Sequence, residues 1–464
     1  MLFNSLEFIV FFSVFYPLYL VLRHKGQNRL LILASCLFYA AWSWKFLVLM
    51  LISVTVDFFC ARNMAASNDP AKRKALLFIS IGVNLSFLLF FKYFNFLSAN
   101  IMGFLKSVSF VPPQFSVAVN VLLPVGISFY TFEAISYIVD VYKHRVEPAR
   151  KYWDYLLFIV YFPHLVAGPI MRAKSFLPQV VTPRTVKWDN VHQGSALFLF
   201  GLFEKMFVAD NLAKIADPVF KSAGPYDGAQ VLIALYAFAF QIFCDFDGYS
   251  NMARGLGKMM GFELLVNFNL PYFALNPKDF WQRWHIGLSS WLRDYVYIPL
   301  GGNQGGKWKV AFSVLLTMMI GGIWHGASWT FLLWGLYHGA LIVAYRDVFP
   351  QQRINAMVQW ILFFHLVTFG WIFFRAGDMR QISAMAGSLW GNFHLSAENA
   401  FLFLNFAFLV MPLLLLQIWQ WRRNDLLFFT RIHWVWESAL CAAIFYLIVG
   451  FGVMRPEQFI YFQF

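Results

Sequence analysis

Charge is what this sequence has least of. Of its 464 residues only 13% are Asp, Glu, Lys or Arg, whereas 60% are hydrophobic and 20% aromatic. A soluble domain carries about 25% charged residues, so a soluble fold is excluded. Hydropathy spread along the whole length points instead to a polytopic membrane protein. Cysteine is scarce too. Cys36, Cys60, Cys244 and Cys441 stand singly in apolar surroundings, with no CxxC, which excludes a disulfide framework and argues against a thiolate metal site. Internal repeats, low-complexity tracts and long linkers are also absent. No polar stretch is long enough for a second globular domain, so one domain over 1–464 is expected. The first apolar run, 8–22, lacks the basic flank and small-x-small site of a cleaved signal and reads as the first span.

Positive charge is the exception to the shortage. The net charge is +13, and the basic residues gather in short segments at 23–29, 62–74, 143–151 and 172–187. This is the positive-inside pattern. It places those segments in the cytoplasm, with "RRND" at 422–425 on the same side, and speaks against nucleic acid as a partner.

A membrane helix needs about 20 apolar residues. Candidate spans are 8–22, 30–41 with 46–59 as a hairpin, 75–97, 117–142, 155–170, 196–208, 231–246, 310–323, 329–345, 358–374, 401–419 and 434–453. The expected fold is all-α, with about 11–13 membrane helices, short re-entrant ones included, forming one central funnel or tunnel.

Several polar groups interrupt the apolar runs. "SFYTFEAISYIVDVY" places Glu133 and Asp140 seven apart, on one helix face; a proton path or buried hydrogen-bonded structure would both fit. "YFPHLVAGPIMR" sets His164 between two prolines, as in a re-entrant break. "FCDFDGYSNM" carries Asp245 and Asp247 with no histidine nearby and reads as polar glue at a helix end rather than an acid–base or metal pair.

The longest polar stretch is 267–309. Within it, "DFWQRWHIGLSSWLRDYVYIP" has apolar residues at helical spacing, and Asp279 is placed to cap an amphipathic interfacial helix. Either the helix anchors the fold, or it lines the inlet for an anionic cytosolic ligand, its Arg and Lys meeting phosphates and His285 facing the pocket.

"MMIGGIWHGASWTFLLWGLYHG" holds His325 and His338 in an almost wholly apolar run. An ionisable residue there is a functional candidate by default. Kept neutral by burial, His325 could take a proton from an alcohol, as a general base of acyl transfer does. A span over 310–323 would rise only about 21 Å against about 30 Å of hydrocarbon, which would leave the turn at His325 inside the membrane. His338, deep in an unbroken run, reads as a packed core histidine.

"FWQRWHIGLSSWLRDYVYIPLGGN" followed by "GGIWHGASW" resembles the membrane-bound O-acyltransferase family, in its bacterial branch that O-acetylates exported polysaccharides. "MLFNSLEFIVFF", "LLPVGISFYTFEAISYIVDVYK", "YFPHLVAGPIMR", "MMGFELLVNFNLPY" and "FIYFQF" extend the likeness over most of the chain. The resemblance implies a multi-pass protein of the bacterial inner membrane. His325 would be the catalytic histidine, and His285 the second site position, orienting the acyl group or stabilising an oxyanion. It implies acetyl-CoA as donor substrate, with no tightly bound cofactor and no metal. The donor would be held near Lys278, Arg283, Trp284 and Arg293. A usual "DFSGYSD" is "DFDGYSN" here, so Asp247 and Asn251 depart from the pattern. No GxSxG elbow or Gly-Asp-Ser block is present, so the last transfer onto a polysaccharide is expected to need a separate SGNH-type acyltransferase partner. A transporter or flippase would also use broken helices and buried carboxylates, and a scaffold for a secretion complex would need neither histidine.

Overall fold

The computed structural model describes residues 1–112, 115, 117–119, 122–166, 168–348, 355–455 and 459–460. Residue 167 of the "YFPHLVAGPIMR" stretch, residues 120–121 of the 117–142 span and the last four residues of the "FIYFQF" ending lie outside them. Every regular element among the described residues is helical. Seven helices are long and apolar enough to cross a membrane: Trp44–Ala65, Pro70–Ser107, Gly228–Met259, Lys307–His325, Ala356–Arg375, Ala397–Arg423 and Trp434–Phe451. The protein is therefore an all-α, multi-pass membrane protein. Several other expected spans are shorter helices, such as Leu6–Val21 and Ile127–Tyr142, each 16 residues. Tyr152–Val160, with nine residues, rises only about 13 Å, less than half the hydrocarbon.

The chain forms two compact units, residues 1, 10–185 and 326–328, and residues 2–9, 186–325 and 329–464. In the first, polar residues inside the helices bond to one another because no water is there to take them. Buried Asp57 accepts from Ser80 and, at 2.8 Å, from Asn84. Glu133 accepts the Met171 amide at 2.8 Å and lies 3.6 Å from His164, so it holds the proline-flanked break in place. Asp140 is 3.5 Å from Arg145.

The second unit is built on the 32-residue helix Gly228–Met259, opened by Asp227, whose side chain accepts the Ala229 and Gln230 amides. Trp188–Leu202 lies tightly against it. A Cβ on Gly201 or Gly194 would come within 2.6 Å of the carbonyl oxygen of Gly248 or Gly255, so only glycine permits this approach. The pairing carries polar glue. Buried Lys205 is 2.7 Å from both Asp210 and Asp245, and Asp245 also accepts the Ile460 amide at 2.6 Å. Asn251 donates to Glu204 at 2.8 Å and accepts from Arg254 at 2.9 Å. Asp247 lies beside the same group, sharing the wall of one small pocket with Glu204, Asn251 and Arg254. Both departures from the family pattern therefore sit against one buried carboxyl group.

Candidate active site

The stretch expected to be one interfacial helix is two. Pro277–Arg283 and Ile286–Leu292 are separated at Trp284 and His285, and a π-helical turn, Arg293–Tyr297, follows. The first cap is Asn276, whose side chain accepts the Asp279 amide at 2.9 Å; Asp279, expected as the cap, lies inside the first turn. Asn276 precedes Pro277, and proline suits a first helical position.

The break is made by an upstream strap. His285 adopts a left-handed backbone, φ 43°, which costs a non-glycine residue about 1–2 kcal/mol. Asn267 offsets it: its carbonyl accepts the Ile286 amide at 2.8 Å, and its side-chain oxygen accepts the Gly287 amide at 3.3 Å. These are first-turn donors that a new helix would leave unpaired. The same oxygen lies 3.0 Å from Nδ1 of His285, and the Asn267 amide nitrogen donates to Ser250 at 3.2 Å. An oxygen that accepts two bonds fixes the proton of the neutral ring on Nδ1, leaving Nε2 an acceptor. Burial pushes the His285 imidazole down to about 3, so it is neutral at physiological pH.

His325 is the last residue of Lys307–His325. This helix has 19 residues, not the 14 expected, and rises about 28 Å, close to a full hydrocarbon thickness. The short-helix argument for placing His325 at mid-membrane therefore does not hold. What isolates the ring is packing. His325 is 2% exposed and His285 0%. Around His325 the rings of Trp324, Trp334 and Phe374 stand edge-on at 5.0, 5.0 and 5.3 Å. The His285 ring lies 6.5 Å away and is backed by Phe246 at 4.6 Å. Lys307–His325 and the following Trp329–Asp347 helix can cross this closely because a Cβ on Gly322 would run into the Phe331 carbonyl, and one on Gly335 into that of Met318.

A cavity of about 560 Å³ lies beside the two short helices. Lys278, Trp281, Ser289, Arg293 and Arg346 are on its wall. The proposed donor residues therefore divide. Lys278 and Arg293 line the cavity; Arg283 and Trp284 do not. Arg283 is held by Asp279 at 2.6 Å. Trp284, 1% exposed, stacks on Phe280 and packs against Phe268 and Trp371. A larger cavity of about 670 Å³, lined by Tyr236, Leu362 and Phe369 among others, is almost wholly apolar; neither histidine is on the wall of either cavity, and the smaller one comes closest in sequence, at Ile286 beside His285. The sequence reading missed Asn267 and Arg346. The first lay inside the polar stretch without a role, and the second was a basic residue at a helix end, which is itself a usable signal.

Residues 150–376, which contain both histidines and the cavity wall, match the model of the membrane-bound O-acyltransferase family. The "Probable alginate O-acetylase AlgI" of Pseudomonas putida is 40% identical over 409 residues, covering 86% of this chain and 82% of the relative. The chain belongs to the membrane-bound O-acyltransferase family. The "Peptidoglycan O-acetyltransferase" of Helicobacter pylori is 34% identical, over 82% of this chain and 78% of the relative. The "Teichoic acid D-alanyltransferase" of Bacillus subtilis is 29% identical over 55% and 69%. As a member of this family the protein is a membrane-bound O-acyltransferase. Its buried pair of imidazoles, screened by aromatic rings beside a cavity with a basic wall, offers such an enzyme a dry place for proton transfer.

Proposed function

We propose that the protein moves an acetyl group from acetyl-CoA to a hydroxyl acceptor, for O-acetylation of an exported polysaccharide such as alginate, peptidoglycan or another exopolysaccharide. The observation that carries this reading is the burial of His325 and His285 side by side, 6.5 Å between ring centroids, next to a cavity that presents Lys278, Arg293 and Arg346. The likeness to O-acetylating relatives over more than four-fifths of the chain supports it.

In this mechanism the cavity opens to the cytoplasm, and its cations hold the phosphates of CoA. His325 takes the proton of the acceptor hydroxyl as that oxygen attacks the thioester carbonyl. The tetrahedral intermediate collapses by breaking the C–S bond, and the His325 imidazolium returns the proton to the departing thiolate, giving the acetyl ester and free CoA. Of the two roles considered for His285, stabilising an oxyanion needs a donor, whereas Nε2 of a ring protonated on Nδ1 accepts. His285 is therefore assigned to orienting the acyl group, with Asn267 fixing its ring and tautomer. The product is handed to a periplasmic or membrane-anchored SGNH-type acyltransferase, which completes transfer to the polysaccharide. The site of action is the bacterial inner membrane.

The test is transfer of label from acetyl-CoA by purified protein in liposomes, with and without a candidate partner. CoA release that depends on the acceptor is expected. Transport of an acceptor glycan with no thioester cleavage would reject the reading.

A further inference from the structure

Two groups of buried ions lie on the joint between segment 188–209 and the helix Gly228–Met259, and they are built differently. In one, the Lys205 ammonium stands 2.7 Å from both Asp210 and Asp245, so each carboxylate has the cation in contact. In the other, Glu204, Asp247 and Arg254 share the wall of one small pocket with Asn251, Gln417 and Gln420. Glu204 is 0% exposed, Arg254 8% and Asp247 9%. Here Asn251 stands between the cation and Glu204: it accepts from Arg254 at 2.9 Å and donates to Glu204 at 2.8 Å. Arg254 makes no ion pair among the described residues.

The charges of this second group do not balance. Two carboxylates and one guanidinium leave one negative charge, and a buried charge without a cation in contact is costly. Two neighbouring carboxyl groups avoid that cost by keeping one proton. The repulsion would fall where the helices are closest, since a Cβ on Gly248 would come within 3.1 Å of the Glu204 Cβ. The sequence fits the same count. "DFSGYSD" would put its carboxylate at 251, beside Arg254. "DFDGYSN" moves it one turn back to Asp247 and leaves Arg254 bonded to an amide.

Two further atoms point into the pocket's need. Glu204 Oε1 and Arg254 Nε have no hydrogen-bond partner among the described residues. One can accept and the other can only donate. The pocket holds about 10 Å³, room for a single water. A metal cation would meet the guanidinium and the Asn251 N–H, which repel it, whereas a water can donate to Glu204 and accept from Arg254.

We propose that Glu204 and Asp247 hold one proton between them, and that one buried water joins Glu204 to Arg254. The site is a neutral proton-binding site that closes the joint between the two helices, beside a Lys205 group in which both carboxylates are ionised.

The test is infrared spectroscopy of the purified full chain at neutral pH, reading the C=O stretch of protonated carboxyl groups. Asp247→Asn is expected to lose the absorption of one such group. Glu204→Gln should lose the same amount, and the double variant no more than either. Asp245→Asn, from the Lys205 group, should lose none. No loss in either single variant would show both groups ionised and overturn the proposal. Losses that add in the double variant would show two protons and overturn it too, as would absorption that grows when sodium is replaced by choline, the mark of a bound cation. Should neither amide variant fold, Asp247→Ser combined with Asn251→Asp decides: its carboxylate meets Arg254 and is ionised, so one protonated group is expected to disappear, and unchanged absorption overturns the proposal.

Discussion

Nδ1 of His285 lies 3.0 Å from the side-chain oxygen of Asn267, and this contact decides what both residues can do. Asn267 also takes the Ile286 and Gly287 amides, so one side chain and its own carbonyl start the second helix and set a tautomer.

Removing that oxygen should act on turnover more than on folding. Asn267→Ala is expected to lower kcat about tenfold, since a buried hydrogen bond to a poised group is worth about 1–3 kcal/mol, with little change in KM for acetyl-CoA. Steady-state kinetics in detergent check this. A rise in KM alone would contradict the role given to Asn267.

The pH dependence follows from the depressed His285 ring. With a folded value near 3 and an ordinary unfolded value near 6.5, the buried neutral ring adds no penalty above about pH 6.5. Below that the unfolded chain binds the proton and the folded one does not, so stability falls as pH drops from 6.5 towards 3. His285→Gln is expected to flatten part of that loss, read as Tm between pH 4 and 7. Asn267→Asp puts a carboxylate beside Nδ1 and should raise the His285 value, adding a limb to the pH–rate profile in which activity climbs with pH.

The cavity wall makes a separable claim. Lys278→Ala and Arg293→Ala should each raise KM for acetyl-CoA several-fold, more at low salt than at high, and leave a short acetyl thioester without phosphates unaffected. Equal losses for both donors would remove these side chains from phosphate binding.

Much of this was legible in the chain. Apolar runs are local, so the helices and the multi-pass character could be read directly. His325 stood out because a histidine in such a run needs a reason. The break at His285 could not be read, because it depends on Asn267, 18 residues earlier, whose bonds exist only after folding. Nor could the cage: Trp334 and Phe374 come to His325 from separate helices. Arg283 and Trp284 are expected near the donor because they lie in the motif that carries the resemblance, and Arg283 also for its charge. A helix turn sends one to Asp279 and the other into the aromatic core.

Buried ions in the scaffold give a stability test independent of catalysis. Lys205→Met strands Asp210 and Asp245, both within 2.7 Å of the lost ammonium, and should cost about 3–5 kcal/mol. Combining it with Asp210→Asn and Asp245→Asn should restore much of that, as measured by denaturant unfolding. No rescue in the triple variant would show that Lys205 acts otherwise than by pairing these two carboxylates.

The most direct measurement of the central claim is release of CoA from labelled acetyl-CoA by wild type and by His325→Ala, each shown to be folded by its thermal transition. A base that removes the acceptor proton contributes about 10²- to 10⁴-fold, so the variant should lose at least a hundredfold in kcat with acetyl-CoA binding kept. Turnover equal to wild type by folded His325→Ala would contradict it, and would leave His325 a packed histidine at a helix end.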